Sequence, residues 1–286
     1  MKVDNKFFSL IFNKFDFPVR FIYSRFWPIN IFLHKVMFWK LYSSDFNKLD
    51  QKFSEMNQFL QNNNVNLKDK IVLELGPGNS FINAYNFLIL GAKKVILVDK
   101  FSRYIKTRKQ NDFYNKEIQF IKNKYKQEKL FFLDENNNVR SEFIQFFDKD
   151  ITELDSLKVD FIYSVSVLEH IKEIKKNIIK MSKILELGGY MYHSIDMRDH
   201  YNFNNPFLFY KYSDYIWNNF LTKESLSYTN RWRYDDFIRC FNENNFKIVK
   251  EEKIEYKLDN IKINTRFKNY KNLGVGNLNI ILQKEK

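Results

Sequence analysis

The sequence predicts an α/β fold built on a doubly wound, mostly parallel sheet. Three observations lead there. Short β-branched apolar runs alternate with stretches whose apolar residues recur every three to four positions, the pattern of strands that cross over through helices. The apolar run at 70–75 breaks into Gly76-Pro77-Gly78, in a chain with only seven glycines. Acids stand at or near the ends of successive predicted strands, at Glu74, Asp99 and Asp150.

At 286 residues the chain suits one main domain with appendages. A content of 44% hydrophobic and 18% aromatic residues excludes a disordered or fibrous protein. The net charge of +13 and pI near 9.4 would suit an anionic partner. The chain is also crowded with Lys, Asn, Ile and Phe and poor in Gly and Pro, a bias that an AT-rich genome would impose, so charge assigns no partner by itself. Cys240 is the single cysteine, which excludes an intramolecular disulfide or a cysteine metal cluster and fits a reducing cytoplasm. The stretch FFSLIF is too short, and lies too close to Asp4 and Asp16, for a signal peptide. No run reaches the roughly 18 uncharged apolar residues of a spanning helix, so a cytoplasmic location is expected.

Residues 1–64 form an N-terminal helical extension. Its first part, 1–43, mixes Phe, Trp and Tyr with Lys2, Lys6, Lys14, Arg20, Arg25, Lys35 and Lys40. Two short helices broken near Pro18 and Pro28 are expected, either as a cap on the main domain or as a peripheral, in-plane membrane contact. Ser44 or Asp45 then caps a helix with Phe46, Leu49, Phe53, Met56 and Leu60 on one face.

The main domain runs over 65–286. It opens with a strand at 70–75, a helix at 81–90 and a second strand at 94–98 ending on Asp99. The charged segment 103–142 reads as a helical insertion or lid. Strands at 143–147 and 159–164 follow, then a helix carrying Ile171, Ile174, Ile178, Met181 and Leu185, closed by Gly188. The order ends with a strand at 190–195, an aromatic substrate loop at 196–230, a helix at 234–244, and strands at 247–255 and 278–283.

A strand bending through Gly76-Pro77-Gly78 brings backbone amides and a helix N-terminus to the carboxyl edge of the sheet, where a nucleotide-like cofactor would sit. A dinucleotide fingerprint wants a third glycine at the sixth position, which is Phe81. Glu74-Leu75-Gly76-Pro77-Gly78 instead resembles the cofactor loop of class I S-adenosylmethionine-dependent methyltransferases, acid-x-Gly-x-Gly, with Ser80 where a third glycine is frequent. "KVILVDK", "FFDKDITELD" and "VDFIYSVSVLEHI" resemble the next elements of that family in order. The resemblance covers about 65–195. It implies a seven-stranded Rossmann-like sheet with the last strand antiparallel, and S-adenosyl-L-methionine as cofactor. It also implies Glu74, Gly76 and Gly78 in the loop, Asp99 on the ribose hydroxyls, Asp150 and Ile151 at the adenine, and Ser164 near the methionine. "MYHSIDMRDH", "FLFYKYSDYIWNNF" and "TNRWRYDDFIRCFNENNF" are similar to segments of a bacterial methyltransferase subgroup associated with surface-glycan genes.

A hydroxyl acceptor must lose a proton, so a base is expected where strands four and five end. His193, Asp196, Asp199 and His200 gather there. His200 is the expected base, oriented by Asp196 or Asp199; strand alternation puts His193 and Asp196 on opposite faces. His170 is expected to cap or pack the helix after it. Carboxylate and imidazole at 196, 199 and 200 would also suit Mg or Mn, though no metal is adopted. Arg231 and Arg233, with Arg198 nearby, either clamp an anionic group of the acceptor or pair structurally with Asp235 or Asp236. Tyr201, Phe203, Phe207, Phe209, Tyr212 and Trp217 either wall the acceptor or pack.

The function expected is methyl transfer to a small-molecule, glycan or lipid-linked acceptor at oxygen. One alternative is an RNA methyltransferase, disfavoured because Ser164-Val165-Ser166-Val167 stands where amino-methylating enzymes carry an Asn/Asp-Pro-Pro-aromatic tetrad. The other is a non-catalytic, membrane-peripheral binding protein.

Overall fold

The sheet is seven-stranded, in the order β3-β2-β1-β4-β5-β7-β6. Its strands are β1 (Ile71–Leu75), β2 (Lys94–Val98), β3 (Ile144–Phe147), β4 (Val159–Val165), β5 (Leu185–Asp196), β6 (Phe246–Glu255) and β7 (Val275–Lys284). The first five are parallel, and β7 runs antiparallel between β5 and β6. This is the expected Rossmann-like methyltransferase sheet. The computed structural model describes residues 15–18, 20–22, 45–78, 80–100, 108–200, 205–222, 228–258 and 261–285.

The helices are α1 (Phe46–Asn62), α2 (Ile82–Ile89), α3 (Arg108–Lys124), α4 (Ile174–Ile184), α5 (Asp214–Ile216), which runs into a π-helical turn at Trp217–Leu221, and α6 (Tyr234–Glu243). Alternation along each strand splits the apolar side chains between two cores. Val72, Val95 and Leu97 pack with Phe53 and Leu60 of α1, Phe87 of α2 and Ile121 of α3. Leu73, Ile96 and Ile195 pack with Ile178 and Met181 of α4 and Phe237 and Phe241 of α6. Each large apolar side chain so buried contributes about 1.5–3 kcal/mol before entropy is counted. The layers leave the carboxyl ends of β1 to β5 along one edge, which is where such sheets bind ligands.

Three expectations change. Segment 103–142 holds no separate insertion at its centre: α3 joins parallel neighbours β2 and β3 and buries Ile118 and Ile121 in the core. A parallel pair needs such a crossover. Gly188 does not end α4, which stops at Ile184; at φ +76 it sits within β5, where pairing with β4 slips between Val159–Leu185 and Phe161–Tyr190. The aromatic loop forms a third core, in which Phe207, Phe209, Tyr210, Tyr212, Trp217 and Phe267 bury one another.

Residues 15–18 and 20–22 are helical. The break expected near Pro28 and most of 1–43 lie outside the described residues, as do Tyr201 and Phe203. Arg20 is fully buried, with Asp16 on one side at 2.6 Å and Asp199 on the other, and Tyr212 donates to Asp16 at 2.7 Å. Burial opposes the guanidinium charge, but Asp199 and Asp16 outweigh it and hold its pKa above the ordinary value. This end is therefore docked on the aromatic core by a buried ion network. Among the described residues no helix is long and apolar enough to cross a membrane.

Candidate active site

The glycine turn is built by two different constraints. Gly76 donates its N–H to Val98 O at 2.8 Å and has φ +67, and a Cβ there would lie 2.6 Å from Val167. The close approach of the β4–α4 loop thus requires glycine. Gly78 also has φ +67, yet an added Cβ would meet nothing within 4 Å among the described residues.

Beneath it, Glu74 is 2% exposed. One carboxylate oxygen accepts from Asn83 of α2 at 2.9 Å, and the other has no hydrogen-bond partner among the described residues. Burial pushes its pKa up to about 7, against the pull of Asn83. Glu117 of α3 closes the turn from the far side, accepting from the Ser80 hydroxyl and from Phe81 N at 3.4 Å. Burial pushes it up to about 8, with Glu74 adding to the rise. Glu117 was not among the sequence candidates. It follows Tyr114 by three and precedes Ile118 and Ile121 by one and four, the spacing of an apolar helix face, and an acid on such a face is the signal that could have found it.

Asp99 directly follows β2, its N–H donating to Phe147 O at 3.1 Å. Asp150 caps the turn Ile151–Glu153, accepting from Thr152 N at 3.0 Å and Thr152 Oγ1 at 2.8 Å, with Lys100 at 3.2 Å. Burial opposes ionisation, but Thr152 and Lys100 prevail and hold the carboxylate below its ordinary range. Ile151 is buried beneath it. Four acceptor sites on a carboxylate leave room beyond these three contacts.

Two expected site residues lie inside the sheet. Ser164 and His193 sit opposite each other on β4 and β5, both fully buried, with Ser164 Oγ 2.7 Å from His193 Nδ1. The His193 ring stacks on Phe241, and burial pushes its pKa down to about 3. It is a neutral core residue, because alternation fixes a face but not whether that face is covered. Neither it nor Ser164 reaches the open edge.

The expected arginines are also part of the fold. Arg231, at φ +59 and 3% exposed, donates to Tyr212 O at 2.8 Å and Asp214 at 2.6 Å and lies over Trp217. Arg233 is fully buried and donates to Met197 O and Val275 O, across the aromatic faces of Phe207 and Tyr210. Their partners are Asp214 and backbone carbonyls, so an acceptor clamp by this pair is corrected. Arg198 forks both oxygens of Asp196 at 2.9 and 2.8 Å and lies over Tyr256. Asp199 is 2% exposed and paired with Arg20, so it does not orient His200. Asp196 does stand beside His200: its carboxylate is 3.8 Å, and its carbonyl 3.3 Å, from His200 Nε2. Burial opposes its ionisation, but Arg198 and His200 hold it below the ordinary range.

At the ends of β4 and β5 three side chains meet. Glu169, His170 and His200 each bring a ligand-type atom within 4.8 Å of the others. The His rings are 4.8 Å apart, edge to face. Glu169 is 3% exposed; one oxygen accepts from Asp196 N at 3.3 Å and the other has no hydrogen-bond partner among the described residues. Burial, followed by Asp196, pushes it up to about 8. Asn230 fixes the 168–170 turn, its amide donating to Leu168 O at 2.7 Å and Ile171 O at 2.9 Å while its N–H donates to Glu169 O at 2.8 Å. His170 therefore does more than pack a helix start, and Glu169 was missed because a lone acid before a histidine carries no spacing signal.

A methyltransferase domain family profile matches residues 48–251, most of the chain and all of β1 to β5. The chain belongs to the methyltransferase domain family. Solved structures similar to this methyltransferase include the Burkholderia thailandensis 1,6-didemethyltoxoflavin-N1-methyltransferase, with bound 1,6-didemethyltoxoflavin and S-adenosylhomocysteine. It is 14% identical, with 89% of this chain and 86% of that chain covered and a TM-score of 0.48. An S-adenosylmethionine-dependent methyltransferase from Clostridium acetobutylicum is 12% identical over 91% of this chain and 98% of that one, at 0.47. One from Mesorhizobium loti is 12% identical over 79% and 96%, also at 0.47. No curated protein matches the sequence.

The methyltransferase uses S-adenosylmethionine, and the edge of its sheet fits that cofactor. Among the described residues, the uncrowded Gly78, the buried Glu74 oxygen with no hydrogen-bond partner and the acids at or near the ends of β1, β2 and β3 fit a cationic adenosine thioether.

Proposed function

We propose that this methyltransferase modifies a hydroxyl oxygen of a small-molecule, glycan or lipid-linked acceptor. The observation that carries this reading is the meeting of Glu169, His170 and His200 at the ends of β4 and β5. Val167, two residues before Glu169, covers Gly76, so this group adjoins the cofactor turn. S-adenosylmethionine supplies a methyl group on a sulfonium centre when bound. Holding a nucleophile in line with such a methyl is worth up to about 7–11 kcal/mol. An oxygen nucleophile must also lose its proton, and Glu169, His170 and His200 are proton-accepting groups beyond the ends of β4 and β5.

In this reading Asp99 and Asp150 hold the adenosine, Glu74 faces the positive methionine end, and His200 is central to removing the acceptor proton. Asp196, kept ionised by Arg198, orients His200. The segments similar to the surface-glycan subgroup favour a sugar-bearing acceptor. Phe15, Phe17 and Ile22 are 57%, 42% and 47% exposed on a basic N-terminal segment, which favours an acceptor held near a lipid surface. A cytoplasmic enzyme is consistent with this.

The test is turnover on a panel of hydroxyl-bearing acceptors. His200→Ala is expected to lower methyl transfer by at least 100-fold while sparing S-adenosylhomocysteine affinity. Full turnover in that variant contradicts the assignment.

A further inference from the structure

We propose that Glu117 is a specificity-determining residue of the cofactor site: held behind the glycine turn and set beside Glu74, its carboxyl favours the sulfonium cofactor over the uncharged thioether product. The inference rests on the reading above in one respect, that Glu74 faces the positive methionine end.

Geometry carries it first. Glu117 is 1% exposed, on the stretch of α3 that also buries Ile118 and Ile121. Its carboxyl reaches the turn, where one oxygen accepts from the Ser80 hydroxyl and the other from Phe81 N at 3.4 Å. The Ser80 oxygen in turn accepts from Ile82 N at 3.4 Å. Phe81 is the N-cap of α2 and brings no side-chain cap of its own. Glu117 therefore supplies, from a neighbouring helix, the acid that a helix N-terminus favours.

The second observation is a pair of buried acids with no counter-charge. Glu74, near the end of β1, is 2% exposed, with one oxygen on Asn83 and the other without a hydrogen-bond partner among the described residues. Among the described residues, neither Glu74 nor Glu117 has an ion-pair partner. The groups that face the pair are Asn83 of α2, Ser80 and Phe81 N of the turn, and Tyr163 of β4. None of these is a cation. Burial, and then Glu74, hold the Tyr163 hydroxyl well above its ordinary value, so it stays neutral. Two uncompensated buried carboxylates are unfavourable unless they take up protons or a ligand brings the missing charge. Protons fill that role in the free protein: burial pushes Glu74 up to about 7, and pushes Glu117 up to about 8 against the pull of Ser80 and Phe81, with Glu74 adding to the rise.

The third step is the sign of the coupling. A positive charge bound over the turn favours the ionised carboxyls, and each ionised carboxyl strengthens the binding of a cation by the same factor. S-adenosylmethionine and S-adenosylhomocysteine share the amino acid end, but only the first carries a sulfonium charge. Ionised Glu117 therefore favours the first over the second. Below its folded value Glu117 is neutral and contributes only its hold on the turn; as pH rises through about 8 the preference for the sulfonium grows.

The experiment is calorimetric titration of the full chain and of Glu117→Gln with each compound, at pH 6 and pH 8.5. Glutamine keeps an oxygen for the Ser80 hydroxyl and copies the neutral acid. Because each comparison uses one ligand at one pH, titration of the ligand's own amino group cancels. At pH 6 the two proteins are expected to bind S-adenosylmethionine alike. At pH 8.5 the wild type should bind it about threefold more tightly or better, with a smaller gap for S-adenosylhomocysteine. In a Ser80→Ala background the gap should open at a higher pH, since that hydroxyl stabilises the Glu117 carboxylate. Thermal melting at pH 6 checks the fold, and an unfolded Glu117→Gln there overturns the neutral state assigned to this carboxyl. No gap at pH 8.5, or an equal gap for the two compounds, overturns the proposal and leaves the cofactor site standing. Glu74→Gln should weaken both compounds at both pH values; if it weakens neither, the placement of Glu74 fails, and the proposal with it.

Discussion

At the residue scale, the glycine turn is where backbone geometry and function meet. Gly76→Ala asks an alanine to adopt φ +67, at about 1–2 kcal/mol, and drives its Cβ into Val167. The expected result is at least a tenfold loss of cofactor affinity with a lowered melting temperature; calorimetry with S-adenosylhomocysteine measures it. Glu117 gives a pH signature. Its proton is released near the ordinary carboxyl value of 4.5 in the unfolded chain but near 8 in the fold. Between those values the native state binds more protons, so its contribution is fully present below about pH 4.5 and is lost as pH rises through about 8. The melting temperature of cofactor-free protein should fall from pH 5 to 8.5, and fall less in Glu117→Gln. Identical slopes would contradict the burial assigned to that carboxyl. These residues differ in legibility. Gly76, Gly78, Asp99 and Asp150 were legible in place, at or near the ends of β1, β2 and β3, because strand ends and scarce glycines mark them; their cofactor roles are proposed. His193 and Ser164 misled, since β5 is covered on both faces and a strand pattern does not reveal that.

At the scale of elements, the seven strands and the helices α1, α2 and α6 were legible to within a few residues, because their apolar periods match their burial; the crossover α3 was read as an insertion. What the pattern could not carry was pairing over long distance. Asp199 stands beside His200 in sequence, yet its partner is Arg20, 179 positions away. Arg231 and Arg233 look like anion ligands by composition alone; only the third, aromatic core explains why they are buried. Arg20→Ala would remove the buried cation between Asp16 and Asp199, leaving Asp16 with Lys211 at 3.2 Å. The docking of residues 15–22 should weaken by about 3–5 kcal/mol, the scale for breaking a buried ion pair from one side. Limited proteolysis should then cut before residue 45 far faster than in wild type, with S-adenosylhomocysteine affinity preserved. Unchanged proteolysis would mean the ion network does not hold this end.

At the scale of the whole molecule, one sheet edge collects everything the chemistry needs. At or near the ends of β1, β2 and β3 stand Glu74, Asp99 and Asp150, proposed for the cofactor, and beyond those of β4 and β5 stand Glu169, His170 and His200, proposed for the acceptor. The β4–α4 loop joins the halves, since Val167 lies against Gly76 while Glu169 accepts from the Asp196 N–H at the end of β5. The proposed oxygen chemistry and acceptor class both depend on the first half binding the cofactor. The most direct measurement is calorimetric titration of the purified chain, and of Asp99→Ala, with S-adenosylhomocysteine. The account predicts one site per chain, weakened at least tenfold, or about 1.4 kcal/mol, in Asp99→Ala. No binding by the wild-type chain, or equal affinity in the two proteins, would contradict it.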